Sequence, residues 1–431
     1  MTTPIPFVRL LVLSLLLPLS TLASPAPFKG LVLWPDQARA RPDLSREISL
    51  EFAYVLPSSV VTGLGPSGIP RFDWTSLDRL LDDIASRGHQ AILRFRYEYP
   101  GEPLNGVPGA TAVPNCVKVL PGYAETFAPD PNGDGPTWYA DWSHPGLRDV
   151  TLRFFEAFAA RYDADPRLAF LEVGFGHWSE WHICGTPLLP GVNFPDPAYQ
   201  RAFLRHLSTL FVHTPWLISI DAADSSRSPA ASPVLASLPF GLFDDSFMHR
   251  HHDLFQGEGY NEKCWKAFGS DRWQRAPAGG EISYYEDSDQ HRFLSPGGIH
   301  GTTFAAAAAK YHVTFMIAND APEGPFATPA AFRAASAATG YSFRLDSCQS
   351  DGFFLHLKIT NTGVAPLYHD AYPALGPSVS STSLRGLLPG QSRDFTLPLP
   401  LSTPPLSTLP SHLRLQSPKL PPSSTLPLAL K

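Results

Sequence analysis

Cysteine is scarce in this chain. Four residues in 431, Cys116, Cys184, Cys264 and Cys348, include no CxxC pair. That spacing excludes zinc fingers and ribbons. A basic surplus is also missing: 33 Lys and Arg against 39 Asp and Glu leave a net charge of -6. Without positive charge to neutralise phosphates, nucleic acid is excluded as a partner. No GxGxxG turn follows an early strand, which argues against an open dinucleotide-binding sheet. Long apolar runs are confined to the first residues, where Arg9 precedes Leu10 to Leu19 and the small residues Thr21, Ala23 and Ser24 follow. This pattern is too short for a membrane span and reads as a secretory signal, residues 1-23, cleaved near Ala23. The expectation is an exported monomer with no transmembrane segment. In an oxidising compartment four cysteines are compatible with two disulfides, and all three connectivities stay open.

What is present is a repeated alternation. Lys29 to Trp34 and Ile48 to Leu56 read as strands, and Asp73 to Gly88 as an amphipathic helix with Leu77, Leu80, Leu81 and Ile84 on one side. Ala91 to Phe95 is a strand, Pro145 to Tyr162 a helix, and Leu168 to Val173 a strand. Pro197 to His213 is a helix, followed by strands at Trp216 to Asp221, Phe240 to Phe247 and Ala278 to Ser283. Helix Ile299 to Tyr311 and strand Val313 to Ala318 complete the series. Eight strands, mostly separated by helices or long loops, predict a closed (β/α)8 barrel over residues 24-340. Beyond it, Tyr341 to Leu345 and Phe353 to Thr360 lack helical period, and Asn361-Thr-Gly363 is turn material. Residues 341-431 are therefore predicted as a small all-β sandwich with a proline-rich end.

In such a barrel the polar residues just past each strand converge at one rim. Here they include Trp34, Arg96 to Tyr99, Glu180, Asp221, Asp244, His249, Glu281, Asn319 and Asp320. Glu180 lies in Gly174-Phe-Gly-His-Trp-Ser-Glu-Trp-His182, an apolar strand running out through two glycines into an acidic and aromatic loop. Glu281 lies in Pro277-Ala-Gly-Gly-Glu-Ile-Ser-Tyr-Tyr285. Glycoside cleavage needs one carboxylic acid to protonate the leaving oxygen and a second carboxylate to attack the anomeric carbon. Glu180 as general acid/base and Glu281 as nucleophile, after the fourth and seventh strands, fit that need. Rings and polar groups for sugar subsites would come from Trp34, Arg96, Tyr97, His177, Trp178 and Trp181. His182, Asp221, His249, His251 and Tyr284 complete the expected set. Glu172, inside its strand, reads as a partner of Arg94 or Arg96, and Glu98 is a rival for the acid role.

The Gly174 to His182 stretch resembles the "GxWGEWH" strand end of a secreted, glycosidase-like barrel family of unassigned function. In that family a short β-sandwich follows the barrel, and Ile359-Thr-Asn-Thr-Gly-Val-Ala-Pro-Leu-Tyr368 is similar to its signature strand. More distantly the layout resembles the clan A retaining glycoside hydrolases, whose acid/base follows strand four and whose nucleophile follows strand seven. Those enzymes usually carry Asn before the acid/base. Ser179 stands there in this chain, so support for the sugar 2-hydroxyl must come from elsewhere. The resemblance implies a secreted hydrolase of an oligo- or polysaccharide. A non-catalytic carbohydrate-binding barrel is the alternative.

Two further patterns bear on metals. Asp130, Asn132, Asp134 and Asp141 sit at positions one, three, five and twelve of a calcium-loop pattern with glycine at six. A structural calcium bracing the loop after the third strand is the expectation, with no cofactor required for the reaction. His249 and His251 would face one way on a strand, the basis of a third reading as a metal-dependent hydrolase.

Overall fold

The computed structural model describes residues 25-252, 259-399, 408-421 and 424-430. The expected signal segment lies outside the described residues. Eight parallel strands close a barrel: β1 (Gly30–Leu33), β2 (Leu50–Val55), β3 (Gln90–Phe95), β4 (Leu168–Val173), β5 (Trp216–Ser219), β6 (Gly241–Phe247), β7 (Ala278–Ile282) and β8 (Phe315–Ile317). Each pairs with its sequence neighbours, and β1 closes on β8 through Gly30 to Phe315. The apolar runs become strands because both faces are covered, one by the barrel interior and one by the helical ring. Every residue of β3 and β4 is buried.

Helices α1 (Thr75–Ser86), α2 (Pro145–Tyr162) and α3 (Pro197–Leu210) lie where the apolar period places them. Phe154, Phe155 and Phe158 of α2 meet Phe95 edge-on at 4.8 to 5.9 Å. Asp196 caps α3 by accepting from the Ala198 and Tyr199 amides, with Pro197 starting the helix. The predicted helix Ile299 to Tyr311 is shorter, α6 in the chain: after α4 (Tyr260–Ala267) and α5 (Asp287–Arg292) it spans Phe304–Lys310. His300 at φ 49° and an Ile299 to Thr302 bridge break the periodic run, and Thr303 caps what remains.

After α7 (Pro329–Ala337) the chain forms two small sheets. One joins β9 (Phe343–Ser350), β10 (Phe354–Asn361), β13 (Ser392–Pro398) and β15 (Ala429–Leu430). The other joins β11 (Tyr372–Leu375), β12 (Ser378–Val379) and β14 (Arg414–Gln416). Their apolar faces share one core with Phe28, Leu50, Ile92, Phe170 and Phe315 of the barrel interior. His369 contacts the Ala169 carbonyl at 2.9 Å, and Lys419 donates to the Asp163 and Asp165 carbonyls before β4. The sheets therefore close the N-terminal end of the barrel and leave the C-terminal strand ends open. Among the described residues no helix is long and apolar enough to cross a membrane.

Candidate active site at the barrel mouth

The Gly174 to His182 stretch folds back on itself. The Phe175 and Gly176 amides donate to the Glu180 carbonyl, and the His177 amide to that of His182. Both glycines are required by this closeness: a Cβ on Gly174 would lie 1.6 Å from the Ser179 oxygen, and one on Gly176 1.9 Å from that of His182. Trp178 and Ser179 take left-handed backbone at φ 53° and 64°, and the Ser179 hydroxyl donates to the Phe95 carbonyl at 2.6 Å. The loop is thereby pinned to the end of β3, with Glu180 half-buried over the mouth.

Below it lies a buried charged cluster. Strand register sets Tyr54, Arg94 and Glu172 side by side on β2, β3 and β4. Arg94 is fully buried and is the cluster's hub. Its Nε donates to Glu172 at 2.8 Å, its two Nη donate to Asp245 at 2.9 Å each, and Glu281 lies 3.3 Å from Nη2. Glu172 is thus the interior partner of Arg94 that its in-strand position predicts. A register shift between Asp244 and Phe247 turns Asp245 toward Arg94. Gly280, at φ +139°, lets β7 approach: a Cβ there would meet the Asp244 oxygen at 2.0 Å.

Glu281 is gripped by Arg94 and by the Tyr284 hydroxyl, which donates to it at 2.7 Å. Burial and the Asp245 charge push its pKa up to about 8 against the pull of Arg94 and Tyr284. Burial also raises Glu172, to about 7, although Arg94 opposes it. Glu180 is held well above the usual carboxylate range, chiefly by burial, then by the charge of Asp245, against the pull of His182. His182 bridges Asp221 at 2.6 Å and Glu180 at 3.4 Å. Burial pulls its pKa down, but Glu180 and the Asp221 hydrogen bond outweigh this and hold it well above its ordinary value, as an imidazolium. Glu180, His182 and Asp221 offer ligand atoms within 4.8 Å of one another, with the His182 Nδ1 bonded to Asp221 and Glu180 beside it.

The remaining sequence candidates divide. Trp34 is half-buried against Phe52 and Tyr54, and Trp178 stands 6.2 Å from Tyr54, so both line the mouth. Arg96 packs between Tyr54, Tyr99 and Trp178. Tyr97 and Trp181 are corrections. Strand alternation turns Tyr97 outward, where its hydroxyl meets Thr151 of α2 at 2.7 Å, and Trp181 is fully buried with its indole N–H on Gln200 of α3. His177 is also buried, held between Tyr139 and Asp134. His249 bonds Asn261 on the flank of β6, and His251 is exposed. Among the described residues neither belongs to a group of three able to hold a metal ion. Three groups were missed as site residues: Tyr54, Asp245 and Tyr260, whose hydroxyl donates to Asp221 at 3.2 Å. Only Asp245 carried a signal, its adjacency to Asp244 at a strand end.

The four residues of the calcium-loop pattern each hold a protein partner. Asp130 accepts from the Gly135 amide, Asn132 donates to Cys184, and Asp141 accepts from Ala124 and Ser143. Asp134 accepts from His177 at 2.7 Å and from the Trp178 indole at 3.2 Å. The four side chains serve four separate places, and the loop works as a brace for the Gly174 to His182 stretch. All four cysteines are free. They stand on separate elements, Cys264 on α4, Cys348 on β9, Cys116 on the short helix Asn115–Lys118 and Cys184 in the loop after β4.

No family model and no curated protein sequence matches the chain, so the resemblance of Gly174 to His182 stays a local likeness. Among solved structures the chain is similar to endo-glycoceramidase II from Rhodococcus sp., at 12% identity over 86% of this chain and 97% of that one, with a TM-score of 0.46. It is similar to a GH30 endoxylanase from Clostridium papyrosolvens C71, at 8% identity over 88% and 96%, TM-score 0.39. It is also similar to an endo-1,4-beta-mannanase from Rhizomucor miehei, at 9% identity over 68% and 88%, TM-score 0.42. At these values the likeness is one of general shape, and the chemistry is read from the chain's own residues.

Proposed function

We propose that the chain is an exported, monomeric glycoside hydrolase that cleaves an O-glycosidic bond of an oligo- or polysaccharide with retention of configuration. Glu180 is the general acid/base and Glu281 the nucleophile. The observation that carries this reading is one buried hub beneath the mouth: Arg94 grips both Asp245 and Glu281, and the Asp245 charge acts on Glu180. Burial and Asp245 keep a proton on Glu180, as a leaving-group acid requires. Arg94 and the Tyr284 hydroxyl favour the anion of Glu281 and fix its oxygens. Trp34 and Trp178 supply flat apolar faces for sugar rings above this pair.

The test is a screen of aryl glycosides and polysaccharides with wild type beside Glu281→Ala and Glu180→Gln. Hydrolysis by wild type, lost at least a hundredfold in both variants, supports the reading. Wild-type hydrolysis that survives in either variant, or none at all, refutes it. A second reading, a carbohydrate-binding barrel without turnover, is favoured by one observation: Glu281 at about 8 is protonated at neutral pH. It is distinguished by sugar binding that persists in both variants while wild type shows no turnover.

A further inference from the structure

Two residues beyond Arg94, on the same face of the chain, stands a second arginine with a different fate. Arg96 is only 5% exposed, yet its Nε and Nη1 have no hydrogen-bond acceptor among the described residues. Its guanidinium carbon lies 4.0 Å from the Tyr54 ring centroid, 4.3 Å from Tyr99 and 4.5 Å from Trp178. Ring faces attract the positive charge, but they do not accept the in-plane N–H groups. Leaving a buried N–H of a charged group unsatisfied is costly, so an orphaned guanidinium at a binding mouth points to an absent acceptor. The nearest carboxyl, Glu98, does not fill that place. It makes no ion pair with Arg96, both of its oxygens are likewise unpartnered, and burial holds it protonated, well above the usual carboxylate range. Arg94, by contrast, has its charge spent on Glu172, Asp245 and Glu281.

We propose that Arg96, framed by Tyr54, Tyr99 and Trp178, is the subsite for an anionic substituent of the sugar, the carboxylate of a uronic acid or a sulfate ester. This rests on the reading of the mouth as a sugar site and names the acidic class of its substrate. A planar guanidinium presents paired N–H groups that match two oxygens of a carboxylate or sulfate. The three rings are half-buried, each keeping part of its surface at the mouth. They exclude water from that contact and offer Trp178 to the sugar ring carrying the anion.

The experiment is a calorimetric titration of the full chain with D-glucuronate, D-glucose 6-sulfate and D-glucose at one ionic strength, using wild type, Arg96→Met and Arg96→Lys. We expect at least one anionic sugar to bind wild type tenfold or more tightly than glucose. Arg96→Met should lose that preference. Arg96→Lys, which keeps the charge and the fold but not the paired donors, should fall between. Preference for glucuronate alone assigns a uronic acid, and preference for the 6-sulfate alone assigns a sulfate ester. Equal binding of all three sugars to wild type, no binding of the anionic sugars, or an anionic preference that survives in Arg96→Met overturns the proposal. The titration needs no turnover and is repeated in Glu281→Gln. Anion preference there without wild-type hydrolysis rejects the hydrolase reading alone, whereas hydrolysis without anion preference rejects the subsite alone.

Discussion

Replacing Arg94 by methionine removes the only cation among the described residues that touches Glu172, Asp245 and Glu281, while keeping most of the side-chain volume. Removing one partner of a buried ion pair costs about 3 to 5 kcal/mol, because the charge left behind is neither solvated nor paired. Here three carboxylates are left, but two of them have a way out. Glu172 and Glu281 are held above their usual value of 4.5, at about 7 and about 8, so the folded chain already binds protons that the unfolded chain releases. Stability from this source is full below 4.5 and falls as pH rises toward about 8. Arg94 opposes both upward shifts, so its loss raises them further and steepens the decline. Arg94→Met should therefore lose about 3 to 5 kcal/mol of unfolding free energy at pH 8 and roughly half of that at pH 5, where protonation neutralises the orphaned acids. Urea unfolding followed by tryptophan fluorescence at pH 5, 6.5 and 8 measures this directly. A penalty below about 1 kcal/mol, or one that does not change with pH, would refute the assignment of Arg94 as the hub.

Three further outcomes follow from the same geometry. Tyr284→Phe removes the donor that favours ionised Glu281, so the acid limb of kcat/KM should move up by about one pH unit, equivalent to about 1.4 kcal/mol; an unmoved limb would show that Glu281 is not the ionising group. Gly280→Ala places a Cβ 2.0 Å from the Asp244 oxygen at a φ of +139°, and thermal unfolding should report a loss of about 2 to 4 kcal/mol; a loss under about 0.5 kcal/mol would mean that β6 and β7 do not pack this closely. Asp134→Ala frees both His177 and Trp178, so tryptophan emission should change and stability should drop by about 1 to 3 kcal/mol, while chelator leaves the wild-type melting temperature where it was; a chelator-dependent shift would restore the calcium reading of this loop.

The barrel was legible in the sequence because its strands are covered on both faces and so read as unbroken apolar runs, Leu168 to Val173 among them, ended by glycine or proline. Glu180 and Glu281 were legible as candidates because strand ends converge in a barrel wherever the intervening loops go. What escaped depends on fractions of a turn. Tyr97 and Arg96 are neighbours, and the pleat alone sends one to α2 and the other to the mouth. Trp181 sits beside Glu180, yet the fold-back at Gly174 and Gly176 buries it on Gln200. Asp245 is aimed by a register shift that no residue pattern announces. The calcium pattern of Asp130 to Asp141 records spacing along the chain, whereas the partners of its side chains, the Gly135 amide for Asp130 and His177 for Asp134, are set by the fold.

The two adjacent arginines suggest how one mouth reconciles opposite demands. In the proposed roles, Glu180 as acid needs burial and negative neighbours to keep its proton, and Glu281 as nucleophile needs a cation to lose one. Asp245 serves the first demand and Arg94 the second, and they are bound to each other. That local neutrality leaves the Arg96 charge unspent. A sugar bearing an anion would then be drawn to Arg96 without competing for Arg94, and binding would leave the Glu281 environment unchanged. For a single arginine serving both tasks, each bound carboxylate would instead raise Glu281 further and weaken the nucleophile as the substrate arrived.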